Sequence, residues 1–175
     1  EGILRLLKRR GPFDLVLIWM GIGDVVRANQ GGGVLEMHRV CHRKGARTVA
    51  ISVAPSWHDA TDLLNEDLKR VKSLDELHGF SRPETISATK AELNKSLRNM
   101  AEGSSVGSRA NARGHCALYV DTAEIISCSN ASRELWEIAD FIHLTAEGYQ
   151  QLGRGIGYRL RPLLARIAEE DRQAQ

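Results

Sequence analysis

The sequence predicts an α/β fold: a three-layer α/β/α sandwich around a parallel sheet. Three observations carry that expectation. Apolar runs of strand length stand at Phe13–Met20, Arg47–Ala54 and His115–Asp121. Segments of helical periodicity or helix-forming composition separate them, closed by Gly or Pro. Nearly unbroken apolar runs are the pattern of strands covered on both faces, and strands alternating with helices pair in parallel.

The elements follow in chain order. Ile3–Arg10 reads as the end of an amphipathic helix, stopped by Gly11-Pro12. Its basic cluster, Arg5 to Arg10, reads as a solvated face. After the first strand, Gly31-Gly32-Gly33 breaks the chain, and Val34–Lys44 sets Val34, Leu35, Met37, Val40 and Cys41 at helical intervals before Gly45. The second strand ends at Pro55. Ser56–Thr89 is polar and poorly periodic, and reads as an insertion with several short helices. Ala88–Glu102 is a helix with Leu93, Leu97 and Met100 on one side, and Gly103–Gly114 a Gly/Ser/Arg loop. Beyond the third strand, a short helix is expected over Ser132–Ala139. Thr145 then caps a long helix toward Glu169, with Gly153, Gly155, Gly157 and Pro162 as expected bends or breaks.

The 175 residues make one domain's worth of core, and 42% hydrophobic with 26% charged residues is ordinary globular composition. With 24 basic against 22 acidic residues, the near-neutral balance gives no pull toward nucleic acid. No run approaches the roughly 18 apolar residues of a membrane span. Cys41, Cys116 and Cys128 lack metal-ligand spacing, and Cys116 reads as a buried small side chain.

The densest chemical signal is Asp140-Phe-Ile-His143, followed by Leu144-Thr-Ala-Glu-Gly-Tyr149. Three-residue spacing lets both side chains project from one tight turn. A carboxylate there can fix the imidazole tautomer and stabilise its protonated form while the ring takes a proton from a hydroxyl or water. In a parallel sheet, ligands sit beyond the strands' carboxyl ends. Gly21-Ile22-Gly23-Asp24, Pro55–Asp59 and the segment after Asp121 all fall at that edge, so one shared site is expected.

Over these ten positions D-x-x-H-L-T-x-x-G-Y resembles the C-terminal block of the SGNH (GDSL-type) hydrolases, and Gly21–Asp24 resembles their G-x-N-D block. Asn94-Lys-Ser-Leu97 and Asp121 are similar to softer features of that family. The resemblance implies a flavodoxin-like SGNH fold. It implies His143 as general base, Asp140 as its orienting partner, and Gly21, Gly23 and Asp24 on the oxyanion and substrate side. It further implies an ester or acylated substrate (a small molecule, carbohydrate or lipid) and no metal or organic cofactor. Two departures matter. Gly23 stands where the family has an oxyanion-donating asparagine, and loss of such a donor costs about 10²–10³ in turnover. The Gly-Asp-Ser nucleophile block, expected upstream of Gly21, does not occur in the 20 residues there. The chain is therefore expected to be an N-terminally incomplete domain in which Phe13–Met20 is an interior strand left as an edge.

Other serines fit poorly. Gly103-Ser-Ser105-Val-Gly107 matches G-x-S-x-G, but a nucleophile elbow needs a strand before it and a helix after it. Ser56 lies near the expected site but outside every family block, and Asn29 has no sequence support as a substitute donor. His38 and His42 have zinc-pair spacing, yet Arg39 replaces the required glutamate and a solvated helix face is expected instead. Two further classes stand beside the hydrolase: a non-catalytic SGNH-like binding protein, and a flavodoxin-like phosphate or nucleotide module using Gly21–Asp24.

Overall fold

The computed structural model describes residues 2–27, 32–60, 62–105 and 114–173. Its three strands, β1 (Leu15–Trp19), β2 (Arg47–Ile51) and β3 (Cys116–Val120), form a parallel sheet in the order β1-β2-β3. Leu15 lies opposite Arg47 and Trp19 opposite Ile51. The β2–β3 register shifts between Thr48 and Val49. The helices are α1 (Gly2–Arg10), α2 (Ile22–Val25), α3 (Gly32–Arg43), α4 (Asn65–His78), α5 (Pro83–Ser105) and α6 (Ala146–Gln173).

Alternation along a strand sends successive side chains to opposite faces, and the sheet accordingly feeds two cores. On one face Ile18, Ala50 and Cys116 pack with Leu7 of α1, Val34 and Cys41 of α3, and Leu93 and Leu97 of α5. On the other, Val49, Ile51 and Val120 meet Leu160, Leu163 and Ile167 of α6. A third cluster, including Trp57, Val71, Trp136, Phe141, Leu144 and Leu152, is built largely from segments that follow β2 and β3. Asn94 ties α5 to the end of β2. Its side chain accepts from Val53 N at 2.8 Å and donates to Val53 O at 3.3 Å, satisfying backbone groups where the ladder stops.

Several expectations change. β1 is not covered on both faces: Leu17 and Trp19 are 45% and 39% exposed, because α6 lays its apolar stripe over β2 and β3. Among the described residues β1 is a sheet edge. All three strands are shorter than their apolar runs, whose overhanging residues Phe13 and Val53 still pack in the first core while Met20 is exposed. Ser56–Thr89 is more ordered than expected, holding a 3-10 turn at Trp57–Asp59, α4 and the first turns of α5. α5 begins at Pro83 rather than Ala88. A proline is well suited to the first helical position, where its missing N–H has no partner to lose. The helix expected over Ser132–Ala139 is instead a 3-10 segment at Asn130–Leu135, and Trp136 is extended at φ −113°, ψ 142°. Trp136 bridges antiparallel to Leu144, a tertiary pairing that overrides local helix propensity.

α6 runs unbroken for 28 residues through all three glycines and Pro162. Gly155 is needed there, because a Cβ at that position would enter the Ile125 side chain. The expected loop after Gly103 starts later, since α5 continues to Ser105; residues 106–113 and Asn29 lie outside the described residues. Nor are the paired histidines a solvated face. His38 is fully buried, its Nδ1 2.8 Å from Thr48 Oγ1, and His42 Nε2 lies 2.8 Å from the same oxygen. The three cysteines are buried and free. No helix among the described residues is long and apolar enough to cross a membrane.

Candidate active site

Asp140 and His143 sit on a loop clamped at both ends. The Trp136–Leu144 bridge closes its base, and Glu137 N donates to His143 O at 2.9 Å. Phe141, fully buried, adopts a left-handed φ of 49°, and its carbonyl accepts from Trp57 N at 3.0 Å. A left-handed backbone is uncommon for a side chain of this size. Burial of the ring in the third cluster and the Trp57 bond hold it there.

The turn brings the predicted pair into contact. Asp140 Oδ1 accepts from Ile142 N at 2.8 Å and His143 N at 3.0 Å, while Oδ2 lies 2.7 Å from His143 Nδ1. Burial alone would raise the Asp140 carboxyl. The His143 backbone N–H, the imidazole and the Ile142 N–H together outweigh it and hold the carboxyl below its usual value. An ionised Asp140 accepts a proton-bearing Nδ1, so exchange with a ligand falls to Nε2. The His143 side chain is 65% exposed.

Beside it lies a cavity of about 200 Å³. One wall comes from the end of β1 and the segment after β2: Trp19, Met20, Ile22, Val53 and Ala54. The other comes from the clamped loop and α6: Ile142, His143, Leu144 and Tyr149. Trp19 and Tyr149 meet edge to face, their ring centroids 6.1 Å apart. Of these residues, Val53 belongs to the core beneath α5, while Leu144 and Ile142 belong to the third cluster. The cavity therefore lies on the seam between two separately packed cores.

Gly21 is the hinge of the first wall. It has φ +118°, and a Cβ there would lie 2.9 Å from Leu93 Cδ2 and 3.0 Å from a Val53 methyl. Glycine is required on both counts. Its neighbours Met20 and Ile22 line the cavity with His143, whereas Gly21, Gly23 and Asp24 do not. Gly23 is exposed, its carbonyl accepts from Arg27 Nη1 at 3.3 Å, and a Cβ would meet only that guanidinium, at 3.7 Å. A side chain would thus fit at Gly23. Asp24 lies in the first turn of the short helix α2.

Ser56 does not reach the site. It is fully buried, accepts from Lys90 Nζ at 2.9 Å and lies 3.0 Å from His58 Nδ1, while Lys90 also pairs with Asp59. Burial pushes the Lys90 ammonium down, and Asp59 partly restores it. This network caps the turn that carries Trp57, and no periodic sequence signal could have revealed it. Asp121 closes β3 by accepting from Ala123 N and Arg98. The Ser105 side chain and the residues after it lie outside the described residues.

Two motif positions beyond the pair have structural reasons. Thr145 Oγ1 accepts from Gly148 N at 3.2 Å, an N-cap for α6. At Gly148 a Cβ would collide with the Leu135 carbonyl oxygen, which itself accepts from Thr145 N. Gly148→Ala is accordingly expected to lose about 2 kcal/mol of stability, overpacking against backbone outweighing a helix-propensity gain of about 1 kcal/mol. Urea denaturation checks this; an unchanged or raised midpoint would show that the helix start can move aside. Comparison with protein-family models, curated proteins and solved structures finds no match to this chain.

Proposed function

We propose that this chain is an SGNH-type domain supplying the acid–base half of an ester-hydrolysing site. His143 is the general base, Asp140 its orienting partner, and an ester or acylated small molecule, carbohydrate or lipid the substrate. The single observation that carries the reading is the Asp140 Oδ2–His143 Nδ1 contact of 2.7 Å on a clamped loop beside an open cavity. Parallel strands with helices packed on both faces support a three-layer sandwich of the SGNH kind.

Turnover by this chain is expected to be slow. Ser56 is buried and engaged by Lys90, and Gly23 has no side chain to offer an oxyanion. His143 would act on water against activated esters, a contribution of roughly 10²-fold for a positioned general base. Hydrolysis of p-nitrophenyl acetate above the buffer blank should fall by about that factor in His143→Ala. An undiminished rate in a folded His143→Ala variant would overturn the assignment. Gly23 favours a second reading, a binding protein that keeps the fold without turnover. It predicts no hydrolysis above the blank by the parent chain, and none restored by Gly23→Asn.

A further inference from the structure

We propose that the cavity beside His143 binds a single-ring apolar group of a neutral ligand, and that this size sets the specificity of the site. The inference rests on the hydrolase reading only for which end of the ligand faces His143; the ring site itself stands on its walls.

Volume comes first. An engineered apolar cavity of about 150 Å³ accepts a benzene ring. At about 200 Å³ this cavity admits a ring with a short arm. On the same scale the cavity holds about eight carbons, fewer than an acyl chain of ten or more carries. Chemistry of the lining comes second. Apart from the imidazole, the side chains of Trp19, Met20, Ile22, Val53, Ile142 and Tyr149 offer aliphatic and aromatic surface, with the Trp and Tyr heads as the few polar atoms. Trp19 and Tyr149 already meet edge to face, an arrangement that a third ring extends favourably. Met20 is pliable and 55% exposed, so the mouth adapts to a planar guest. Small-molecule sites commonly combine such an apolar body with a few polar groups that fix orientation. Here the imidazole of His143 is the group that orients the ligand's polar arm.

The seam between two cores adds a consequence for binding. A ring filling the cavity touches both walls at once and adds to the contact that Trp19 and Tyr149 already make between them. Ligand binding therefore raises the stability of the whole chain.

The test is a titration of the full chain with 2-phenylethanol, read by tryptophan fluorescence. Trp19 is the responsive fluorophore, because Trp57 and Trp136 are 3% and 0% exposed. For about nine non-hydrogen atoms, a saturable change with Kd on the order of 1 mM is expected. Ala54→Leu, which fills the cavity, should weaken binding at least about tenfold. Ile142→Ala, which enlarges it, should shift preference toward 2-(2-naphthyl)ethanol. The second variant keeps the test decisive if the first folds poorly by circular dichroism. Ring binding is read by fluorescence and hydrolysis by p-nitrophenyl acetate turnover of the same chain, so loss of hydrolysis and loss of the ring site are read separately. No saturable change up to about 20 mM, or parent-like binding by both cavity variants, would sink the proposal.

Discussion

Trp136→Ala is expected to destabilise the fold by about 4 kcal/mol. Trp136 is fully buried in the third cluster, and its indole Nε1 donates to Ser127 O at 2.8 Å. Truncation removes one of the two tryptophans of that cluster and opens a cavity that surrounding residues only partly fill. It also removes one of the two donors to Ser127 O, which keeps the Ser132 hydroxyl at 2.7 Å, a net loss of about 0.5–1.5 kcal/mol. The loss bears on the site, because the Trp136 backbone forms the bridge to Leu144 that closes the Asp140–His143 loop. Chemical denaturation at neutral pH should show a lowered midpoint. The His143 imidazole resonances should shift even under conditions where the variant stays folded. A loss below about 1 kcal/mol would mean that the loop is held from elsewhere.

Acidification from pH 6.5 to 4 should remove about 3 kcal/mol through His38. Burial first, and the neighbouring His42 second, push the His38 imidazole down to about 4, from 6.5 in the unfolded chain. Between those values the unfolded chain binds a proton that the folded chain refuses. Stability from this group is therefore complete above pH 6.5, falls as pH drops through the window and is gone below 4. His42 acts in the same direction, lowered by burial and then by His115. Geometry brings the two rings together: His38 Nδ1 and His42 Nε2 both lie 2.8 Å from Thr48 Oγ1, with ring centroids 6.2 Å apart, so a charge on one opposes a charge on the other. Denaturant midpoints at pH 7.5 and 4.5 measure the effect, and His38→Asn should flatten it. An equally steep profile in that variant would assign the acid sensitivity to other groups.

How much of this was legible depended on how local each feature is. The Asp140–His143 contact spans three residues, so spacing alone placed the two side chains together. The cap at Thr145 was readable for the same reason. Each strand announced itself by an apolar run, but strand ends are set by where a neighbour stops hydrogen-bonding, and the runs overshot. α6 looked breakable because propensity is summed residue by residue. Burial of Leu160, Leu163 and Ile167 against the sheet outweighs three glycines and one proline. The start of α5 was in fact signalled, by Pro83 in the first turn. His38 and His42 misled for the opposite reason: their helical spacing was visible, but their partner Thr48 belongs to the next strand. The cavity was least readable, since its walls join Trp19 to Tyr149 across most of the chain.

The seam beneath that cavity has a bearing on how such a site can change over generations. Ile22 and Val53 of the β1 wall answer for their packing to one core, and Ile142 and Leu144 of the opposite wall to another. Trp19 and Tyr149 touch across the gap and are coupled, but substitutions elsewhere in the two walls that share no partner combine almost additively, within about 0.3–0.5 kcal/mol. A lineage can therefore remodel one side of the ligand's berth while the other side, with its imidazole, is inherited intact. Divergence in what is bound need not wait on paired mutations, and drift of the β1 wall leaves the turn on which Asp140 faces His143 in place.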